Sequence, residues 1–514
     1  MKPSCSRAEA RHIYISAGIC SLLFSIWIAM RDTIINNDGV CYVLSAREYG
    51  VSGLSAAMHL CGQAMWPLYS VLIYYFSRLT FLSEIHAALV MNAGFTLISV
   101  VSFLAIVRLL GATRRVMWLA AFVILFAHQF NSVREYIIRD HGFWAFYLLS
   151  MFFLLRFMAE RRWYQAVAFS VSLLIATLFR IEGAVFLAVL PFLCLLNGQD
   201  WKQRGYDFLR LNAVTLTIVA LLLVWMIAHP ADSIHRLGRV AELVYQSGNA
   251  LQVIADRYHH NVAMLGQYVL PNEALRDAGV LWVVSVIVLY VINVVSNLSF
   301  AATALVVYAW LTGVTAYFAR SARLTLFGYL AVNVFVTAIF FAEHLFLSKR
   351  YLIAMTLVFL LWVPFALDKL LRAGASLRVR ALGQLAMAVM LVSCMGVLLG
   401  LGASKLYIRE AGDWLAQHVP ANARLYSNDK LLAFYSGQYG NNVFRVMEVN
   451  RDIQAMVQGK LHEYDVAALR SGREEDDRLA VVLNEMHAQV VKKFMNKRGD
   501  NVVIYNIPRS KMRS

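Results

Sequence analysis

The sequence predicts a polytopic α-helical membrane protein that ends in a small extracytoplasmic α/β domain. Of its 514 residues, 60% are hydrophobic and 15% are charged, and ordinary soluble proteins carry about 25% charge. Apolar runs long enough to cross a bilayer recur up to residue 402. After Gly402 the composition becomes polar, which marks a separate domain.

Twelve apolar runs predict spanning helices and a thirteenth is ambiguous, so we expect about 12 to 13 transmembrane helices. The twelve are 13–30, 85–107, 116–131, 143–158, 163–179, 183–197, 211–229, 279–296, 299–318, 324–342, 351–367 and 382–402. The ambiguous run is 67–82. With a cytoplasmic N-terminus, the basic clusters at 108–115, 156–162 and 202–210 all face the cytoplasm only if this run does not span. We therefore expect it to lie along the outer surface as an amphipathic or re-entrant helix.

The same orientation predicts external loops at 31–84, 131–142 and 230–278. Basic residues in 368–381 place that segment in the cytoplasm and the C-terminal tail outside. Twelve spans would instead leave the tail inside. Either one crossing is missing from the count, or a run between 279 and 342 is broken or re-entrant.

The predicted domains are a transmembrane domain over 1–402 and a soluble periplasmic α/β domain over 403–514. Within the second, the sequence predicts an initial amphipathic helix, a strand in ARLYS, a helix over 476–497 and a final strand in VVIYN. The net charge of +16 resides largely in short loops between apolar runs. This distribution indicates contact with the lipid bilayer and not with nucleic acid.

The six cysteines are scattered, several lie inside apolar runs, and none forms a CxxC pair. We interpret them as small packing residues that supply neither a disulfide framework nor a metal site.

Charged residues at the outer ends of the spans are the candidates for chemistry, because charge at membrane level is costly. Asp38 follows the first span; a turn or a helix N-cap is the alternative role for it. The second external loop contains Arg134, Glu135, Arg139, Asp140 and His141. Its arginines suit a bidentate phosphate contact, and Asp140 suits the orientation of a base or an acceptor. The alternative is a set of interfacial ion pairs that anchor helix ends.

Two further external segments carry charge. Arg180 and Glu182 stand at a glycine corner, and Lys349, Arg350 and Tyr351 begin a late span. Basic residues on the outer face depart from the positive-inside tendency and indicate an anionic partner there. The chain has no Walker A, GxSxG or HExxH motif and no GxGxxG in a strand–helix context, so nucleotide-driven pumps, serine hydrolases and zinc proteases lack support.

Taken in order, these elements resemble the GT-C superfamily of membrane glycosyltransferases, in the branch of protein O-mannosyltransferases and lipid A aminoarabinose transferases. The resemblance is carried by NNDGVCYVLSA around Asp38 and Tyr42, Trp66-Pro67-Leu68-Tyr69, Ser83-Glu84, Arg134 to Asp140, Arg180-Ile181-Glu182-Gly183 and Ser348-Lys349-Arg350-Tyr351-Leu352. It covers most of 1–400. Gly39 departs from it, since many relatives have a second acid there, and so does Arg139 directly before Asp140.

The resemblance implies transfer of a sugar from a polyprenyl-phosphate donor to a lipid, glycan or protein acceptor on the outer side of the membrane. The basic loops suit a bacterial inner membrane with the active side in the periplasm. Asp38 is then the general base and Asp140 its catalytic partner, orienting the acceptor or holding a divalent metal ion. Arg134, Arg139, Lys349 and Arg350 stabilise the donor phosphate. Tyr42, Glu135, His141, Arg180, Glu182 and Tyr351 line the substrate cavity.

Two other functions compete with this one. In a transporter or flippase of a lipid-linked sugar, the outer charges would form a substrate pathway, but transporters usually show two related halves. A non-catalytic partner in envelope polysaccharide assembly would not need Asp38.

Overall fold

The computed structural model describes residues 6–31, 34–197, 200–228, 239–372, 374, 376–420, 422–437, 447–449, 460–472, 481 and 483–508. The chain forms two compact units. The helical unit comprises Met1–Ser25, Asn92–Arg134 and Arg139–Leu399, and the mixed unit comprises Ile26–Met91, Glu135–Ile138 and Gly400–Ser514. This division differs from a boundary at 402/403, because the mixed unit also includes the first predicted external region.

Each of the twelve predicted apolar runs coincides with one or two helices. Up to Leu399 the α-helices are Arg7–Ala29, Asn37–His59, Leu68–Thr80, Glu84–Leu109, Arg114–Leu125, His128–Ser132, Asp140–Glu160, Trp163–Phe179, Gly183–Val189, Leu193–Leu196, Trp201–Ala228, Arg239–Tyr268, Ala278–Leu298, Phe300–Leu311, Arg320–His344, Ile353–Leu360, Val363–Leu370 and Leu377–Leu398. Short 3₁₀ helices lie at Gly62–Met65, Leu190–Phe192, Asn272–Asp277, Val314–Tyr317 and Lys349–Leu352.

Among the described residues, seven helices are long and apolar enough to cross a membrane, or eight if a pair bent by 45° at residues 361–362 counts as one span. Three shorter apolar helices, Trp163–Phe179, Gly183–Leu196 and Phe300–Leu311, accompany them. The predicted class, a polytopic helical membrane protein with a small C-terminal sheet region, is confirmed. The run 299–318 is divided at Thr312 and Gly313, where Gly313 has φ 70°, so the broken run is the alternative that the structure favours.

Two predicted external loops contain long helices. Asn37–His59 is helical on both sides of a kink at Gly53, and Arg239–Tyr268 is a helix of 30 residues. Residues 230–238 of the second loop lie outside the described residues. The helix Leu68–Thr80 has 13 residues and a length of about 20 Å. It is therefore too short to cross a hydrocarbon core of about 30 Å.

The interpretation of all the cysteines as packing residues was wrong for Cys41 and Cys61, which form a disulfide with Cα atoms 6.1 Å apart. Cys41 lies in the Asn37–His59 helix, and Cys61 follows that helix by two residues. Their sequence separation of 20 matches no cysteine motif. The fold brings the two side chains together, and their spacing in the sequence does not predict the disulfide.

The C-terminal part of the mixed unit is a five-stranded sheet of order β2-β1-β3-β5-β4. The strands are β1 Leu425–Ser427, β2 Met447–Val449, β3 Val466–Ser471, β4 Gln489–Met495 and β5 Asn501–Asn506, with helices at Leu406–His418 and Lys430–Tyr435. β1 is parallel to β2 and β3, whereas β5 is antiparallel to β3 and β4. Tyr426, Leu461 and Leu469 lie in its core.

The predicted strands in ARLYS and VVIYN are confirmed, but the predicted helix over 476–497 is wrong for its second half. Residues Gln489–Met495 form β4, an edge strand that pairs with β5. Val490, Val491 and Phe494 favour an extended backbone, and Lys492 and Lys493 are the kind of charged residue that discourages further pairing at a sheet edge.

Candidate functional site

Three segments of the helical unit bring their charged residues to one place. Asp140 begins the Asp140–Glu160 helix, Arg180 and Glu182 form the corner before the Gly183–Val189 helix, and Arg350 and Tyr351 belong to the Lys349–Leu352 turn. We call Arg139, Asp140, Arg180, Glu182, Arg350 and Tyr351 the Arg180 cluster. Asp140 and Glu182 lie 40 and 2 residues from Arg180 in the sequence. Arg350 and Tyr351 come from a distant, later segment.

Arg180 is the centre of the cluster. Its guanidinium donates hydrogen bonds to the carboxylates of both Asp140 and Glu182, with Nε 3.2 Å from Oε2 of Glu182. The side chains of Arg180 and Asp140 are 11% and 3% exposed. The guanidinium carbon also lies 4.5 Å from the centre of the Tyr351 ring, a cation–π arrangement. Two ion pairs and the nearby aromatic rings of Tyr351 and Phe143 thus offset the cost of burying this charge.

The cluster has more positive than negative charge. The guanidinium groups of Arg350 and Arg139 act on the Asp140 carboxylate together with Arg180, so three cations face two anions. Lys349, exposed on the same turn as Arg350, adds a further positive charge. In addition, Nη1 of Arg139 is buried without a hydrogen-bond partner. A buried guanidinium nitrogen of this kind is unfavourable until an acceptor reaches it, and an anion would provide both the charge and the acceptor.

Both carboxylates of the cluster are stabilised in their ionised form. Asp140 stands in the first turn of its helix, where the helix dipole stabilises negative charge. Burial by itself raises the pKa of the Glu182 carboxyl, but the charge and hydrogen bonds of Arg180 outweigh burial and hold that pKa below its ordinary value. Glu182 is therefore ionised at neutral pH, and its ion pair weakens only as the pH falls through this lowered pKa.

Gly142 permits the approach that joins Asp140 to Arg180. A Cβ atom at Gly142 would lie 2.5 Å from the ring of Phe179, the residue directly before Arg180. Hydrogen at this position therefore lets the start of the Asp140–Glu160 helix pack against the end of the Trp163–Phe179 helix. This packing contact sets the distance between the Asp140 carboxylate and the Arg180 guanidinium.

We expect Gly142→Ala to lower the free energy of unfolding by about 1–3 kcal/mol, because the added methyl group overpacks a close contact. Thermal unfolding of the purified protein in detergent measures this. Gly94→Ala is the matched control, since a Cβ at Gly94 meets nothing within 4 Å. Equal melting temperatures for both variants would contradict the packing role of Gly142.

In the mixed unit, Asp38 lies in the first turn of the Asn37–His59 helix. Its Oδ1 accepts a hydrogen bond from Nε2 of Gln63 at 3.1 Å. Gln63 follows Cys61 by two residues, so the disulfide from Cys41, one turn after Asp38, holds Gln63 near this carboxylate. The N-cap of the helix is Asn36, and Asp38 is therefore not the cap.

The contacts of Asn36 leave no room for a side chain at position 39, where Gly39 stands. The Asn36 amide pairs with the backbone of Ile137, accepting from its N–H at 2.8 Å and donating to its carbonyl at 3.4 Å. A Cβ at Gly39 would lie 2.7 Å from Oδ1 of Asn36 and 3.0 Å from Cβ of Ile137. A second acidic side chain at position 39 would therefore disrupt this contact.

The remaining predicted site residues lie elsewhere. Arg134 is 5% exposed, and its guanidinium donates to Asn131, Ser21 and Ser25. These bonds favour an anchoring role over the predicted phosphate contact.

His141 is 1% exposed, with Nε2 3.1 Å from the Val133 carbonyl and Nδ1 3.5 Å from Thr96. Glu135 lies 3.8 Å from Arg31, and burial raises the pKa of its carboxyl. Tyr42 is buried edge-on against Tyr69. His141, Glu135 and Tyr42 thus each contact other residues of the fold. Their role in lining a substrate cavity stays a prediction.

Sequence reasoning missed two amides. Gln63 contacts Asp38 as described, and Asn297 donates from Nδ2 to the backbone carbonyl of Lys349 at 2.6 Å. Asn297 directly follows the predicted run 279–296, so a polar residue at the end of an apolar span was the available signal. Gln63 offers no comparable signal.

The described residues do not provide a fitting site for the divalent ion that the resemblance raised. No three His, Cys, Asp or Glu side chains come together among them, and both carboxylates of the Arg180 cluster are ion-paired with Arg180. We therefore derive no step through a metal.

No family model and no curated protein sequence matches the chain. Solved structures do. ArnT from Cupriavidus metallidurans bound to undecaprenyl phosphate is 14% identical with a TM-score of 0.53, and the match covers 98% of this chain and 99% of that one. The archaeal oligosaccharyltransferase AglB from Archaeoglobus fulgidus, in complex with an inhibitory peptide and a dolichol-phosphate, is 11% identical with a TM-score of 0.54, over 97% of this chain and 75% of that one. The chain thus has a GT-C-like fold.

Proposed function

We propose that this protein is a glycosyltransferase that moves a sugar from a polyprenyl-phosphate-linked donor to a lipid A, envelope glycan or protein acceptor. The observation that carries the proposal is the Arg180 cluster, with its excess of positive charge and the unpartnered Nη1 of Arg139. A lipid-linked phosphate would place its tail in the bilayer and its anion at this cluster. The comparison supports this, because ArnT was solved with undecaprenyl phosphate and AglB with a dolichol-phosphate.

The chemistry divides between base and leaving group. The acceptor O–H or N–H gives its proton to the carboxylate of Asp38 as the acceptor atom bonds to the anomeric carbon. The bond from that carbon to the phosphate oxygen breaks, and the polyprenyl phosphate leaves with the electron pair. Arg139, Arg350 and Lys349 stabilise the charge that develops on this phosphate. Arg180 holds the carboxylates of Asp140 and Glu182 in place beside these cations.

The Cys41–Cys61 disulfide supports a periplasmic location for the predicted external region 31–84. Disulfides persist in oxidising compartments such as the periplasm and are rare in the cytoplasm. Labelling of intact cells with a membrane-impermeant thiol reagent, before and after mild reduction, tests this. Labelling of Cys41 and Cys61 only after reduction supports the assignment, and labelling without reduction contradicts it.

The function itself is tested by transfer of radiolabelled sugar from a crude polyprenyl-phosphate-sugar pool to endogenous acceptors in membrane vesicles. We expect label in an acceptor with the natural protein and at least a tenfold rise in the donor KM for Arg139→Ala. Arg372→Ala is the control, since its ion pair with Asp368 is half-exposed. Vesicles that flip or accumulate a lipid-linked sugar without transferring it would instead establish a transporter.

A further inference from the structure

The turn that carries Lys349 and Arg350 is held by a side chain from a different helix. Asn297, in the last turn of the Ala278–Leu298 helix, is 2% exposed. Its Nδ2 donates to the Lys349 carbonyl at 2.6 Å. Because a backbone carbonyl only accepts, this bond also determines which end of the amide faces the turn.

Asn297 occupies its position at a cost. Its Oδ1 is buried without a hydrogen-bond partner, which an apolar side chain of similar size would avoid. The next but one residue, Ser299, has φ 75°, a left-handed conformation that is strained for a residue with a side chain. The Ala278–Leu298 helix is therefore followed by a strained residue, two positions after Asn297. In return, Asn297 donates a hydrogen bond to the Lys349 carbonyl, and an apolar side chain at this position could not do so.

The turn that Asn297 contacts is short. Lys349–Leu352 is a 3₁₀ helix of four residues, a form with poorer hydrogen-bond geometry than an α-helix. It carries two adjacent cations that repel each other. The centre of the Tyr351 ring lies 5.3 Å from the guanidinium carbon of Arg350 and 4.5 Å from that of Arg180. A shift of the turn would therefore move Lys349, Arg350 and the ring beside Arg180 together.

We propose that Asn297 is a positioning residue that sets the place of Lys349 and Arg350 for an anionic lipid phosphate. The inference rests on the proposed function, in which these two cations contact the donor phosphate. Asn297 itself acts only through the backbone of the turn.

The test compares two buried asparagines on neighbouring helices. Asn297→Leu removes the donor while keeping the approximate size of the side chain. Asn333→Leu is the control, because Asn333 is 3% exposed and donates to Tyr147 and to the Tyr329 carbonyl, away from the turn. The full chain in nanodiscs is titrated with undecaprenyl phosphate as the probe, and each variant is also melted. Asn297→Gln, which keeps an amide donor, serves as the conservative variant.

We expect Asn297→Leu to weaken undecaprenyl phosphate binding at least tenfold and to raise the donor KM with kcat changed less than threefold. Asn297→Gln should recover part of the affinity, and Asn333→Leu should lower the melting temperature without changing affinity. If binding falls equally in both leucine variants, in proportion to stability, Asn297 is only a structural residue and the inference fails.

Two further arms separate this failure from failure of the proposed function. Lys349→Ala and Arg350→Ala should each weaken binding of the same probe. If they do and Asn297→Leu does not, the inference alone is overturned. If neither alanine variant changes binding, the phosphate role of the turn is wrong, and the inference falls with the proposed function.

Discussion

Asp38→Asn is expected to lower sugar transfer by about 10²–10⁴-fold, the contribution typical of a positioned general base. The substitution keeps the shape of the side chain and an oxygen that can still accept from Gln63. It removes the ability to take a proton. The fold of the mixed unit should therefore persist while transfer is lost.

The measurement is the rate of labelled product formation in vesicles at equal expression, together with the melting temperature of each purified variant. Glu84→Gln is the matched control, an acid of the same unit that pairs with the half-exposed Arg47 at 3.3 Å. It should change the rate less than twofold. Equal transfer by Asp38→Asn and the natural protein would leave Asp38 a helix-end residue and remove the base assignment.

Arg180→Met is expected to lower the free energy of unfolding by about 3–5 kcal/mol, because it leaves the buried carboxylate of Asp140 and the partly exposed one of Glu182 without their partner. Asp140 is 3% exposed and depends on this guanidinium. Adding Asp140→Asn and Glu182→Gln to Arg180→Met should restore part of the lost stability, since neutral amides tolerate the site better than unpaired charges. Urea or thermal unfolding in detergent measures the stability of the natural protein, of Arg180→Met and of the triple variant.

Arg156→Met provides the comparison for a weakly buried pair. Arg156 and Glu160 lie at i and i+4 with side chains 30% and 35% exposed, and such pairs contribute less than about 1 kcal/mol. A loss of stability in Arg180→Met no greater than that in Arg156→Met would show that the Arg180 cluster is solvated and not a buried charge centre.

Transfer activity should also be lost in Arg180→Met, and it should not recover in the triple variant.

Several features of the site follow from local sequence. Asp140, Arg180, Glu182 and Arg350 stand out because charge next to long apolar runs is costly and therefore informative. Their order along the chain carried the resemblance to GT-C enzymes, and the structural comparisons confirm that fold. The strand in 489–495 was predicted as part of a helix, because a short segment takes its secondary structure from the strand it pairs with.

Arg134 and Arg139 show where local reasoning ends. They are the same residue type five positions apart, and the sequence predicts the same phosphate contact for both. In the structure, the guanidinium of Arg134 donates to Ser21, Ser25 and Asn131, whereas Nη1 of Arg139 is buried without a partner. Two of the three partners of Arg134, Ser21 and Ser25, lie more than 100 positions earlier in the sequence.

The sequence by itself determined that this chain belongs to the polytopic helical membrane proteins and which charges beside the apolar runs merit attention. Hydropathy and charge are properties of short segments, and a bilayer selects on them directly. Only the tertiary structure decided that Arg180 joins Asp140 to Glu182, that Cys41 meets Cys61 and that Asn297 holds Lys349. These contacts depend on how helices pack, and packing depends on side-chain shapes far apart in sequence.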